Sequence, residues 1–113
     1  RALEWVRTET PPDATLLASP EMGMFIPAQT GRRVLYGHPF ETVDAEKEKR
    51  TAETLYEGRW AAGEAASYLI SRGIDFIWYG PREQALGERA VWQDYPVVYE
   101  RDGVVILAVE GKP

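Results

Sequence analysis

Ile74-Asp75-Phe76-Ile77-Trp78-Tyr79-Gly80-Pro81 is the stretch on which the fold turns. Its β-branched and aromatic residues make it the strongest strand in the chain. Gly80-Pro81 ends that strand and leaves room for one helical turn up to Leu86-Gly87. On its N-terminal side, Ala61, Ala62, Ala65, Ala66, Leu69 and Ile70 recur at three- and four-residue spacing, which predicts an amphipathic helix closed by Gly73. Before that, Asp44 caps a predicted helix over 45–57 with a thin apolar face of Ala45, Ala52, Leu55 and Tyr56, stopped by Gly58. On the C-terminal side, Tyr95–Arg101 and Val104–Val109 read as two strands, and the intervening Asp102-Gly103 has the chemistry of a type I′ hairpin turn.

The N-terminal third is built from shorter units. Leu3 and Val6 mark a helical stub that Thr10-Pro11-Pro12-Asp13 stops, and Thr15–Ser19 is a buried strand. Ser19-Pro20-Glu21 offers an N-cap, a Pro at the first helical position and an acid in the first turn. Met22–Gln29 suits a helix that Pro27 limits. Arg33–Tyr36 is a further strand, ending at Gly37-His38-Pro39. The order strand, short helix, strand, two helices, strand, hairpin predicts one α/β domain over residues 1–113. Its sheet is mixed and mainly parallel, with helices on its faces and a C-terminal antiparallel β-hairpin.

Composition narrows the function. With 113 residues there is room for one core. Thirteen basic against eighteen acidic residues leave a net charge of −5, which argues against nucleic acid as a partner and against a polybasic membrane anchor. The absence of cysteine excludes disulfides, thiolate metal sites and thiol catalysis. No apolar run reaches the length of about 20 residues that spans a bilayer. The chain opens Arg1-Ala2-Leu3 without Met, which is the expectation for a boundary inside a longer protein.

Candidate chemistry gathers where the three predicted parallel strands stop: Ser19-Pro20, Gly37-His38-Pro39 and Gly80-Pro81. Ligands of open α/β sheets bind outside the carboxyl ends of the strands. That rule nominates Ser19, Glu21, His38, Glu41, Tyr79 and Arg82 for one rim, with Thr42 beside them and Arg32 as a candidate contact for phosphate or carboxylate. Small residues and Pro also end strands for steric reasons alone, so the rim has a bland reading as well. His38 is the sole histidine, the residue type whose unperturbed titration lies near neutral pH, but no Gly-x-Ser-x-Gly elbow, two-histidine metal spacing, Gly-x-Gly-x-x-Gly or Walker pattern accompanies it. Of Arg32 and Arg33, one is expected to face solvent. The run Asp44–Arg50 reads as a solvated helix face with local ion pairs. Trp60 and Trp92 fall in connecting segments, where an indole is either a contact surface for sugar, protein or membrane interface, or buried against the domain's own helices. No catalytic residue, cofactor or metal site is assigned.

Several segments carry a resemblance. Trp5-Val6-Arg7, Thr10-Pro11-Pro12-Asp13-Ala14 and Leu17-Ala18-Ser19 resemble the segment after the last transmembrane helix of large bacterial membrane glycosyltransferases of the GT-C type. Ile26-Pro27-Ala28, Thr30-Gly31-Arg32-Arg33-Val34, Gly37-His38-Pro39, Glu41-Thr42, Gly73–Pro81 and the closing hairpin continue it across nearly the whole chain. The resemblance implies a C-terminal α/β domain on the extracytoplasmic side, attached to a transmembrane portion of the same polypeptide. In that superfamily, sugar moves from a polyprenyl-phosphate carrier to a lipid, glycan or protein acceptor, and the catalytic acid lies in a loop between early transmembrane helices. The implied role is therefore non-catalytic, shaping acceptor or donor binding beside a lipid-linked sugar or glycan. The oligosaccharyltransferase branch has a Trp-Trp-Asp-Tyr-Gly acceptor motif; Ser19-Pro20-Glu21-Met22-Gly23 keeps only an acid and a Gly, so peptide recognition does not carry over. A free-standing α/β ligand-binding or assembly module is the alternative, and a small enzyme using His38 and Glu41 a third reading.

Overall fold

A computed structural model describes residues 2–34 and 45–109. Five strands form one sheet: β1 Thr15–Leu17, β2 Arg33–Val34, β3 Phe76–Tyr79, β4 Val97–Arg101 and β5 Val104–Ala108, in the order β2-β1-β3-β5-β4. β2, β1 and β3 are parallel neighbours, whereas β5 runs antiparallel to both β3 and β4. Four strands thus share one direction and β5 opposes them, the mixed sheet expected from the strand and helix order.

Neighbouring residues within each inner strand go to opposite faces. Leu16, Trp78 and Ile106 pack with Ala2, Val6 and Ile26 on one side. Leu17, Ile77 and Leu107 pack with Ala52, Leu55, Tyr56 and Leu69 on the other. Helices α1 (Ala2–Glu9) and α2 (Phe25–Thr30) therefore cover the first face, and α3 (Ala45–Tyr56) and α4 (Ala62–Ser71) the second. Each fully buried Leu or Ile contributes about 1.5–3 kcal/mol of apolar transfer energy.

Local chemistry ends the elements where the chain must turn. After α4, Gly73 sits at φ 71°. Its N–H donates to the Ile70 carbonyl at 3.0 Å, and that of Ile74 to Leu69 at 2.9 Å. This is a Schellman stop, sealed by Ile74 and Leu69 in one core. At the hairpin, Asp102 and Gly103 have φ 56° and 81°, as a type I′ turn demands. Pro27 is accommodated because a 3₁₀ turn over Met22–Met24 precedes α2, leaving Pro27 in the first turn of the α-helix, where no N–H is required of it.

The connections β1–α2–β2 and β2–α3–α4–β3 travel in opposite directions across the sheet and on opposite faces, as two crossovers of the same hand must. The chain thus reverses its direction of winding between β1 and β3. That gap is the topological switch point, the place where open α/β sheets form a ligand crevice.

Candidate functional site

The carboxyl ends of β1 and β3 lie side by side, because the two strands are parallel with Leu17 opposite Ile77. Beyond β1, Ser19 turns the chain: its carbonyl accepts from the N–H groups of Met22 at 3.0 Å and Gly23 at 3.1 Å. Ser19 is thus a backbone anchor for the 3₁₀ turn rather than the side-chain N-cap expected there; the N-cap is Glu21. Beyond β3, Gly80-Pro81 opens the single-turn helix α5 (Pro81–Gln84), with Pro at its first position.

Glu83 joins the two ends. It is fully buried; one carboxylate oxygen accepts from the Ser19 N–H at 3.0 Å and the other from the Gly80 N–H at 2.9 Å. A buried carboxylate costs several kcal/mol in lost hydration unless donors replace the water, and hydrogen bonds to a charged group are the strong ones. Beneath it, the Tyr56 hydroxyl is shared between the carbonyls of Leu17 at 2.9 Å and Trp78 at 2.6 Å. Burial raises the Tyr56 pKa well above its ordinary 10, and the Glu83 charge pushes the same way. The phenol is held as a proton donor. Protein groups thus fill the switch-point crevice. The Ser19 hydroxyl and the Trp78 indole N–H are buried there without a hydrogen-bond partner among the described residues.

Above this plug, Glu21 and Arg82 meet at 3.0 Å in an exposed ion pair, and the Arg82 guanidinium lies 5.6 Å from the centre of the Phe25 ring. Ser19, Glu21 and Arg82 are therefore brought to one edge. Tyr79 turns elsewhere: its hydroxyl donates to the Gly87 carbonyl at 2.7 Å, and the residue lines an open groove of about 510 Å³ with Gln84, Arg89 and Glu100. Arg32 is placed at the opposite edge, since Arg33 pairs with Thr15, the first residue of β1. Its guanidinium donates to the carbonyls of Arg7 at 2.7 Å, Thr10 at 3.0 Å and Thr30 at 3.0 Å, and to the Thr10 hydroxyl at 2.9 Å. Arg32 ties α1 to α2, and Arg33 is the solvent-facing member of the pair. His38, Glu41 and Thr42 lie outside the described residues.

The residues that organise this edge, Glu83 and Tyr56, were not among the candidates. Glu83 had a local signal in Gly80-Pro81-Arg82-Glu83, where an acid at the third helical position reaches back to the N-cap N–H. Tyr56 had none, because its partners are 22 and 39 residues away. Among the described residues, no group of three or more His, Asp or Glu side chains is placed to hold a metal ion. No helix among them is long and apolar enough to cross a membrane.

No family model matches the chain. No curated protein matches it either. Among solved structures, the chain is similar to the C-terminal globular domain of an oligosaccharyltransferase from Archaeoglobus fulgidus, with a TM-score of 0.64 and 12% identity over 96% of this chain and 94% of that one. At that identity the likeness establishes a shared fold, a mixed α/β sheet with helices on both faces, over nearly the full length of both chains.

Proposed function

We propose that the chain is the C-terminal, water-exposed domain of a multi-pass bacterial membrane glycosyltransferase that draws sugar from a polyprenyl-phosphate carrier. Its role is to shape acceptor or donor binding without performing the chemistry. The observation that carries this reading is the end-to-end fold likeness to the C-terminal globular domain of an oligosaccharyltransferase. The switch-point crevice supports it: where an α/β enzyme would hold substrate, this chain holds its own Glu83 and Tyr56. The exposed rim residues Glu21 and Arg82 then present a surface to the membrane-embedded portion of the same polypeptide, on the extracytoplasmic side, over the buried Ser19, with His38, Glu41 and Thr42 contributed by the segment after β2.

The test is made on the parent protein in membranes, supplied with polyprenyl-linked sugars. Glycosyl transfer is expected from the parent, none from residues 1–113 alone, and transfer is expected to fall in His38→Ala and in the charge reversal Arg82→Glu while the domain stays folded. Turnover by the isolated 113 residues, or a parent coding sequence without multiple transmembrane segments, overturns the reading.

A further inference from the structure

A second concavity opens on the helical side of the molecule. Leu55 from α3, Trp60 from the α3–α4 connection, Ala62 from α4, and Trp92, Asp94 and Tyr95 from the segment before β4 line a cavity of about 320 Å³. That volume and its aromatic lining are those of a small-molecule site. The walls are preset. The Trp60 indole N–H donates to the Thr54 hydroxyl at 3.0 Å and its ring packs on Tyr68 at 5.1 Å. Trp92 is held between Tyr56 at 5.3 Å and Tyr95 at 6.0 Å.

The polarity of the cavity selects its occupant. Among the described residues its lining contains Asp94 and no Lys or Arg, which disfavours an anion. Asp94 is exposed, and no hydrogen-bond donor or cation partners it among the described residues. Its charge is felt inside: burial and then Asp94 raise the Tyr95 phenol above its ordinary pKa. A carbohydrate would ask for several directional polar partners, whereas the lining supplies Asp94 and the Tyr95 hydroxyl among apolar groups. The partly exposed rings of Trp60 and Tyr95 beside one carboxylate suit a cation wrapped in methyl groups. We propose that the pocket between Trp60 and Tyr95, floored by the buried Trp92, binds an alkylated ammonium group, with Asp94 as its counter-charge.

The proposal is independent of the glycosyltransferase reading, and it is tested on this chain by titration. The probes are choline chloride, its neutral tert-butyl isostere in which carbon replaces nitrogen, and methyl α-glucopyranoside, each followed through the indole N–H resonances. Choline is expected to saturate the Trp60 and Trp92 signals, with the neutral isostere at least about five-fold weaker. Asp94→Asn, a surface change that leaves the fold intact, is expected to weaken choline about five-fold, and Trp60→Ala to abolish the response. Equal binding of the isostere, saturable binding of the glucoside instead of choline, or no shift up to about 100 mM choline overturns it.

Discussion

The Glu83 carboxylate accepts the backbone N–H of Ser19 at 3.0 Å, across 64 residues of chain. Its other oxygen takes the Gly80 N–H, so one side chain closes the gap between two parallel strand ends. Closure of this kind is a structural use of the place where related architectures bind ligands. Its energetics can be measured directly.

Removing the carboxylate strands two buried N–H donors. Glu83→Ala is expected to lower the unfolding free energy by about 2–5 kcal/mol, and Glu83→Gln, which keeps one acceptor but turns an NH₂ toward a donor, by about 1–3 kcal/mol. Urea denaturation checks both. A loss under about 0.5 kcal/mol in Glu83→Ala would mean that water satisfies those amides equally well.

Tyr56 makes stability sensitive to alkali. Its folded-state pKa is raised, so the native state keeps a proton that the unfolded state releases above about pH 10. The sign follows: the stabilisation is complete below pH 10 and declines as pH rises beyond it. Tyr79 and Tyr95 shift the same way and add to the slope. Tyr56→Phe is expected to cost about 1–3 kcal/mol at neutral pH and to flatten the decline between pH 10 and 11. An unchanged alkaline slope in thermal melts would contradict the assignment.

Three glycines give an ordered series. A Cβ at Gly87 would overlap the Tyr56 carbonyl, which is backbone and cannot swing aside. At Gly80 it would come within 2.9 Å of the Trp78 indole nitrogen and 3.4 Å of Glu83. At Gly63, in the exposed first turn of α4, it would meet nothing within 4 Å. Gly87→Ala is expected to be the most damaging, Gly80→Ala to cost about 1–3 kcal/mol, and Gly63→Ala to stabilise by about 0.5 kcal/mol. Melting temperatures of the three variants test the order.

Arg32 and Arg82 should respond to substitution with very different magnitudes. Arg32→Lys keeps the charge but loses the fork that reaches the ends of both α1 and α2, and is expected to cost about 1–3 kcal/mol. Arg82→Lys breaks an exposed pair and should change stability by less than about 0.5 kcal/mol. Chemical denaturation of the two variants side by side decides it.

Much of the fold was legible because it rests on local rules. The Asp102-Gly103 turn, the Gly58 and Gly73 helix stops and the apolar density of Ile74–Tyr79 each act within a few residues, and the elements fall where those signals lie. The fates of the tryptophans were not legible, since burial is a property of neighbours: Trp92 is fully buried, whereas Trp60 is only partly buried. The edge shared by Ser19, Glu21 and Arg82 followed from parallel strands ending alike. Which side chain fills that edge did not, because Glu83 meets Ser19 only after two crossovers have set β1 beside β3. The apolar stretch Ile74–Tyr79, of which Phe76–Tyr79 forms β3, thus determined by itself that a buried strand would form; tertiary structure alone decided that its carboxyl end would be sealed by a carboxylate, since hydrogen bonds across 64 residues exist only once the sheet order is fixed.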